Sequence, residues 1–555
     1  MKNKFKKVIG LMALVLALSA CGSGSNEKKD AKTDTSKQAT TSEESLKPEE
    51  RSKDELVLGV GFEPEKGFNP IFESSHSQSN IFHAALLKRD LDLHIVEDLA
   101  ESYELSEDKK TYIIKLKDNL KFSDGSDLTA EDVAFTYNTA KNEAAAGINL
   151  ERFKEAKAID EKTVELDLER PYISFTSTLA SLGIVSKEAY NDDYGQNPVS
   201  SGPFELVEWK KGQEMIVKPN ENYHGDKIPF KKVTFLFFKD DDQALATAKE
   251  GICDLIRVPY TAKDMEIEGF SPMSVQTIDN RGISLPYVAN TGEVTDEDTI
   301  MPGSPIGNDV TSDIAIRKAL NIAMDRDEII RDVLNGEGTK ATSIADGLPW
   351  YNEETAEIHD GDIEGAKKIL DDAGWIEGAD GIREKDGVRA KFDLYYAYQD
   401  RENLAVYFAE KAREIGIEVE SKYGDWDYVM PHMYDDAVLF GWGGYDPLDM
   451  YYSYASKNRG YDFYNTNFYS NEKVDEYFDK GLSADNLDDF YDNFKKAQWD
   501  GETGFSHLGD APWVWLVNEN HVYMVRDGLE IGKTKIEPHS SRFTIIDSIA
   551  NWKWK

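Results

Sequence analysis

The chain has only two cysteines in 555 residues, Cys21 and Cys253. With Cys21 committed to another use, as argued below, no intrachain disulfide is possible. Cys253 sits in the apolar run Gly251-Ile-Cys-Asp-Leu-Ile and reads as a small buried hydrophobe. Positive charge is scarce: 64 Lys and Arg stand against 104 Asp and Glu, a net charge of −40. A phosphate backbone demands the opposite sign, which excludes nucleic-acid binding. Beyond the N-terminus there is no apolar run long enough for a membrane-spanning helix. The Gly-x-Ser-x-Gly elbow, His-Glu-x-x-His, a phosphate loop and a catalytic-cysteine pattern are all missing, which argues against an enzyme. No two of the nine histidines stand at metal-ligand spacing.

The first twenty residues have a basic start (Lys2, Lys4, Lys6, Lys7) and an apolar run, Val8–Leu18, ending in Leu18-Ser19-Ala20-Cys21. A short apolar run after a basic start is a secretory signal. The small residues before Cys21 resemble the bacterial lipobox, in which the cysteine becomes the lipidated N-terminus after cleavage. Loss of four lysines takes the net charge from −40 to about −44. Residues 22–54 carry almost no large apolar side chain and cannot bury a core. They read as a tether with an r.m.s. reach of roughly 30 Å. About 500 residues follow, enough for two or three domain-sized units.

Along that body short strands and helices alternate without a fixed repeat, the pattern of a mixed α/β fold. Strands are expected at 56–61, 100–105, 111–116, 163–168, 204–208, 214–218, 233–238 and 253–258, and a helix-like segment at 81–87. Thr129 followed by Glu131 and Asp132 predicts a helix start. The texture changes near Arg281. Ile316, Ala319, Leu320, Ala323, Ile329 and Ile330 then share a helical face within 313–334, with a break at Asp325-Arg326-Asp327. Helices at 363–373, 401–414 and 472–482, and strands at 392–396, 417–421 and 513–517, continue the α/β alternation.

The stretch the rest is organised around is FGWGGYDPLDMYY, 440–452. An apolar strand end, Val438–Phe440, breaks into three glycines around Trp442 and reaches Asp446-Pro447. Glycine permits close backbone approach, and Pro447 ends a strand. The loop is thus expected to present an indole, a phenol and a carboxylate to a cleft.

These segments, in order, resemble the extracellular solute-binding proteins of the peptide/nickel class that serve ABC importers. The resemblance is carried by Asn69-Pro70, FSDGSDLTAEDVAFTY at 122–137, SGPFELVEW at 201–209, Asn222-Tyr223 with Gly225, EGICDLI at 250–256, AIRKALNIAMDRDEII at 315–330 and GWGGYDP at 441–447. It covers essentially the whole mature body. It implies two α/β lobes of the periplasmic-binding-protein type, joined by a hinge and enclosing the ligand. Lobe one would be 55–285, with an extra subdomain near 81–200. Lobe two would be 286–528, and 529–555 would return to lobe one. It also implies a binding protein rather than an enzyme, acting as a monomer at the outer face of the cell membrane, anchored by the lipid on Cys21, with an ABC permease and ATPase as partners.

Peptide binders of this kind place an aspartate just after the Gly-Trp of the cleft loop, where this chain has Gly443-Gly444-Tyr445. The form GWG-x-x-DP, with Trp513–His521, is closer to the nickel-transport branch, so a nickel complex or similar small metal chelate is the expected ligand, with oligopeptide the alternative. No permanent cofactor is implied. Relatives in that branch often carry a histidine beside the Asp-Pro pair; here Tyr445 stands there. Imidazole suits nickel, and His76, in the early cleft-facing loop, is the expected metal ligand, with His432 and His507 as further candidates. A chelator's carboxylates would need guanidinium groups, for which Arg281 and Arg459 are the candidates. Trp442, Tyr445, Tyr461 and Trp513 are the expected aromatic walls, beside Asp446.

Overall fold

A computed structural model of the chain describes residues 52–60, 63–64, 67–72, 81–143, 148–150, 152–293, 299, 301–461, 463–539, 541 and 543–555. The expected signal peptide, most of the expected tether, Cys21 and His76 lie outside the described residues.

Two large sheets organise the body. The first has seven strands in the order Phe270–Val275, His521–Arg526, Leu255–Val258, Glu55–Gly59, Lys232–Leu236, Glu214–Pro219 and Phe204–Lys210. Its central strand, Glu55–Gly59, is parallel to both neighbours. Leu56 and Leu58 on that strand are wholly buried in the first lobe's core. The second sheet has six strands: Gly338–Lys340, Trp513–Glu519, Asn280–Ser284, Ala437–Phe440, Lys391–Tyr396 and Glu418–Tyr423. Lys391–Tyr396, helix Glu402–Glu414 and Glu418–Tyr423 form a parallel strand–helix–strand unit, the crossover that parallel pairing requires.

Helix Ile314–Ala323 buries Ile316, Ala319, Leu320 and Ala323 in the second core, as their spacing predicts. Its start is capped by Asp313, which accepts from Ala315 N at 2.9 Å. The expected break is present. Met324 is extended, and Asp325 accepts from Glu328 N at 2.9 Å to begin the next turn.

A four-stranded antiparallel sheet, Ala100–Leu105, Thr111–Leu116, Thr163–Leu168 and Phe153–Ala158, is added to the first lobe and packs on helix Ala130–Glu143. The helix begins where Thr129 predicts. Asp132 accepts from Thr129 N at 2.9 Å, satisfying the start of the first turn.

Three expectations need correction. Residues 81–87 are not helical. Ile81, Phe82, Ala84, Ala85 and Leu86 thread through the interior in extended form, and their carbonyls accept from Phe204, Gly202, Ile184, Leu99 and Asp98. An apolar run this short carries no usable period, and it is buried on every side. The change of lobe expected at 285 comes earlier, between Val275 and Asn280, because Asn280–Ser284 already pairs with Ala437–Phe440. The return expected at 529 comes at Asn520, because His521–Arg526 already pairs with Leu255–Val258.

Candidate ligand-binding site

The strand Ala437–Phe440 is buried along its whole length and hands the chain to the glycine loop. The loop turns back against the crossing between the lobes. Trp442 N donates to Asn280 Oδ1 at 2.7 Å, and Asn280 N donates to Trp442 O at 3.0 Å. A Cβ on Gly441 would overlap the Asn280 carbonyl, and one on Gly443 would overlap the carbonyl of Ile278. Gly443 also has φ +151°, a value L side chains avoid. The glycines therefore allow backbone to meet backbone at the crossing, rather than backbone to meet ligand. On the far side, His539 N donates to Gly443 O at 2.8 Å and the Tyr445 hydroxyl donates to Ile536 O, so the C-terminal return also grips the loop.

The side chains of the loop face aromatic surroundings. The Trp442 indole stacks on Tyr464, with ring centroids 4.6 Å apart and planes at 10°. Its Nε1 is buried without a hydrogen-bond partner among the described residues. Arg89, from the edge of the added subdomain, donates to Tyr445 O at 2.7 Å and Ser177 Oγ at 3.1 Å. This ties lobe one to the tip of the lobe-two loop. Asp446 Oδ1 accepts from Leu448 N at 2.9 Å and starts the helix Leu448–Tyr454, with Pro447 at its cap. One turn on, Asp449 lies against Gly444, where no Cβ would fit, and accepts from the Tyr464 hydroxyl at 3.4 Å.

These two carboxyl groups are the electrostatic feature of the site. Burial raises the pKa of Asp446 to about 6, even with Arg89 pulling it down. Burial, with Asp446 alongside, raises Asp449 to about 8. Two acids held this way are under-compensated, and a cation placed beside them would gain what they lack.

The expected site residues separate into three groups. Trp442, Tyr445 and Asp446 come together on the loop, although Tyr445 is buried and its hydroxyl is already committed. Arg281 and Trp513 lie behind the loop. Arg281 is paired with Asp279 and, at 2.9 Å, with Glu519. Burial opposes its charge, but those two carboxylates hold its pKa above the ordinary value. Trp513 is stacked flat on Trp515, centroids 4.4 Å apart, beneath Phe440. Arg459 and Tyr461 are exposed, Tyr461 at 56%. His507 is half-buried, and desolvation with Arg326 nearby lowers its pKa to about 4.

Sequence reasoning passed over Arg89, Asp449, Tyr464 and Arg401. Arg89 looked like one of a surface run, Lys88-Arg89-Asp90. Asp449 carried a signal, since it lies three residues after Asp446 on one helical face. Arg401 is 5% exposed, lies over the Tyr398 ring and donates to Leu439 O at 3.3 Å. Burial and the neighbouring Arg281 push its pKa down to about 10.

Comparison with known proteins was consistent across sequence and structure. Residues 94–462 match the model of bacterial extracellular solute-binding proteins, family 5. Protein XP55 of Streptomyces lividans is 30% identical over 498 residues, 87% of this chain and 86% of that one. The oligopeptide-binding protein AppA of Bacillus subtilis is 28% identical over 459 residues, 78% of this chain and 79% of that protein. AppA solved with a nonapeptide superposes with a TM-score of 0.67 at 23% identity, over 90% of this chain and 99% of that one. NikZ of Campylobacter jejuni, solved with Ni(L-His), superposes with a TM-score of 0.75 at 23% identity, over 91% and 100% of the two chains. The fold is thus the mixed α/β, two-lobed periplasmic-binding-protein fold.

Proposed function

The chain belongs to the family 5 bacterial extracellular solute-binding proteins, and from that premise we propose that it captures a peptide-like solute with a positively charged amino group. As a solute-binding protein of an ABC importer it would close its lobes over the ligand and present the closed form to a permease. Members of the family are transport binding proteins rather than enzymes.

The observation that carries the peptide reading is the half-buried, strongly desolvated acid pair. Asp446 and Asp449 sit one helical turn apart, both raised by burial, with Arg89 the nearby guanidinium. An ammonium group entering there pairs with the Asp446 carboxylate and favours the charged form of Asp449, and Trp442 and Tyr464 supply a flat apolar wall. The family's aspartate directly after Gly-Trp is replaced here by carboxyls further along the loop. The oligopeptide-binding name of AppA agrees with this reading.

The nickel-chelate reading keeps one specific support. The buried Trp442 Nε1 is a donor without a partner and would suit a chelator carboxylate. Against it, both terminal nitrogens of Arg281 are already paired, with Asp279 and Glu519, and Arg459 stands in solvent. A lipid on Cys21 would hold the receptor at the outer membrane surface, beside its importer.

The test is native mass spectrometry, with elemental analysis, of protein purified without chelator from peptide-rich medium. Bound masses that fragment as peptides are expected. Nickel accompanied by a non-peptide organic mass would overturn the reading and favour the chelate.

A further inference from the structure

The segment that leads into the cleft strand carries a second cluster of ligating groups. A 3-10 turn, Met430–His432, is followed by Asp435 and Asp436, directly before Ala437. One ligand atom from each of His432, Asp435 and Asp436 lies within 4.8 Å of the others. His432 Nδ1 and Asp435 Oδ1 face each other at 3.7 Å. That is too long for a hydrogen bond. Each of these two atoms is sealed from solvent, and neither has a hydrogen-bond partner among the described residues. Buried polar atoms are ordinarily paired. As electron-pair donors facing each other beyond hydrogen-bond distance, the imidazole nitrogen and the carboxylate oxygen are an arrangement that a shared cation can bridge.

The neighbours orient the cluster. The His432 ring stacks on Tyr395, centroids 4.2 Å apart and planes at 7°. Asp436 Oδ1 accepts from Asn308 Nδ2 and from Asp393 N, each at 3.2 Å. Asn308 also donates to Asp435 O at 3.0 Å. Such outer partners fix the aim of metal ligands. Charge is unbalanced in the same sense. The carboxylate of Asp393 adds to those of Asp435 and Asp436, and Lys422, 3.7 Å from Asp393, is the ammonium that opposes them.

We propose that His432, Asp435 and Asp436 form a binding site for one divalent transition-metal cation of the zinc type. Ligands of such an ion stand about 2.1 Å from it, hence roughly 3.0–3.5 Å from one another, so a small inward movement of Asp435 completes the pair. One imidazole with two carboxylates suits zinc or cobalt better than calcium or magnesium, which take oxygen alone. The ligand atoms are sealed, but the His432 and Asp435 side chains keep exposures of 33% and 21%, which places the cluster near the surface. The site stands at the start of the cleft strand and the glycine loop at its end, roughly 13 Å apart for a strand of four residues. The ion is therefore separate from the transported solute. It would pin the 430–436 segment to Asn308 and to the strand that delivers the loop.

The experiment titrates the tag-free mature chain, stripped with chelator, with Co²⁺ and then Zn²⁺. One Co²⁺ per chain with an intense visible d–d band, displaced by one Zn²⁺, is expected. His432→Gln and Asp435→Asn should each abolish the band while leaving circular dichroism unchanged, since neither unpartnered atom holds the fold. Asp449→Asn, in the cleft, should leave the band intact. Absence of a one-to-one complex, a band that survives both ligand variants, or a band lost in Asp449→Asn would each overturn the site. A peptide-free cleft would sink the reading of the solute without touching this one.

Discussion

Asn280 holds Trp442 by two hydrogen bonds: its side-chain oxygen accepts from Trp442 N at 2.7 Å, and its own N–H donates to Trp442 O at 3.0 Å. One residue at the crossing between the lobes thereby fixes the backbone of the loop that carries the proposed site. A ligand that moves Trp442 must also move Asn280. Asn280→Ala leaves the buried Trp442 N–H without its acceptor and should cost about 1–3 kcal/mol. Urea denaturation of the ligand-free protein measures that loss, and ligand affinity should fall with it. Unchanged stability would show that the loop is held elsewhere.

Asp449 and Asp446 predict a pH signature. Both have pKa values above that of an unfolded carboxyl, at about 8 and about 6. The folded state holds protons that the unfolded state releases near pH 4. Their contribution to stability is therefore most favourable below pH 4 and declines as pH rises toward 8. A cationic ligand reverses the shift, so binding at pH 7 should release about one proton. Calorimetry in buffers of different ionisation enthalpy reads that number directly. Asp449→Asn should flatten the stability decline, remove most of the proton release and weaken the ligand at least tenfold, about 1.4 kcal/mol.

The two arginines singled out in the sequence should behave oppositely. Arg281→Ala removes the guanidinium shared by Asp279 and Glu519, leaving Asp279 only its histidine partners, and should cost about 3–5 kcal/mol of stability. Arg459→Ala, at an exposed position, should stay within about 0.5 kcal/mol. Thermal melts of both variants check this. A large loss of affinity in Arg459→Ala with no change in melting would restore that residue to the binding site.

Gly443→Ala tests the fit between loop and crossing. The added methyl would meet the Ile278 carbonyl, at a φ that disfavours L residues. A destabilisation of about 1–3 kcal/mol is expected, with weaker ligand binding because Trp442 and the acid pair are carried along. Gly528→Ala, at a positive-φ turn with open space around it, is the control for backbone strain without collision. Equal losses in the two would remove the packing argument.

Cys21→Ala should abolish incorporation of radiolabelled fatty acid and release the protein from the membrane fraction into the medium. Retention on the membrane would mean that the small-residue motif before Cys21 is not the anchor.

Much of the fold was legible wherever pattern and punctuation agreed. The helix at 314–323 and its break at Asp325 were readable because an apolar stripe ended on a capping residue. Strands 100–105, 111–116 and 163–168 fell where their patterns placed them. The helix Leu487–Gln498 was missed. Its sequence, LDDFYDNFKKAQ, hides Phe490 and Phe494 among charges, although they share one face and both are buried.

By itself the sequence determined the class of the molecule: an acidic, two-lobed solute-binding protein of mixed α/β fold. Those properties follow from composition, local periodicity and short motifs, which act within a few residues. The tertiary structure decided which groups meet around Trp442. Arg89 and Tyr445 are far apart in the chain, and Arg281 looked as available as Arg459 until Asp279 and Glu519 closed around it. Whether a charge is free or spent depends on partners that only folding brings within a few ångströms. Whether an acid keeps its proton depends on burial, which no single stretch of sequence displays.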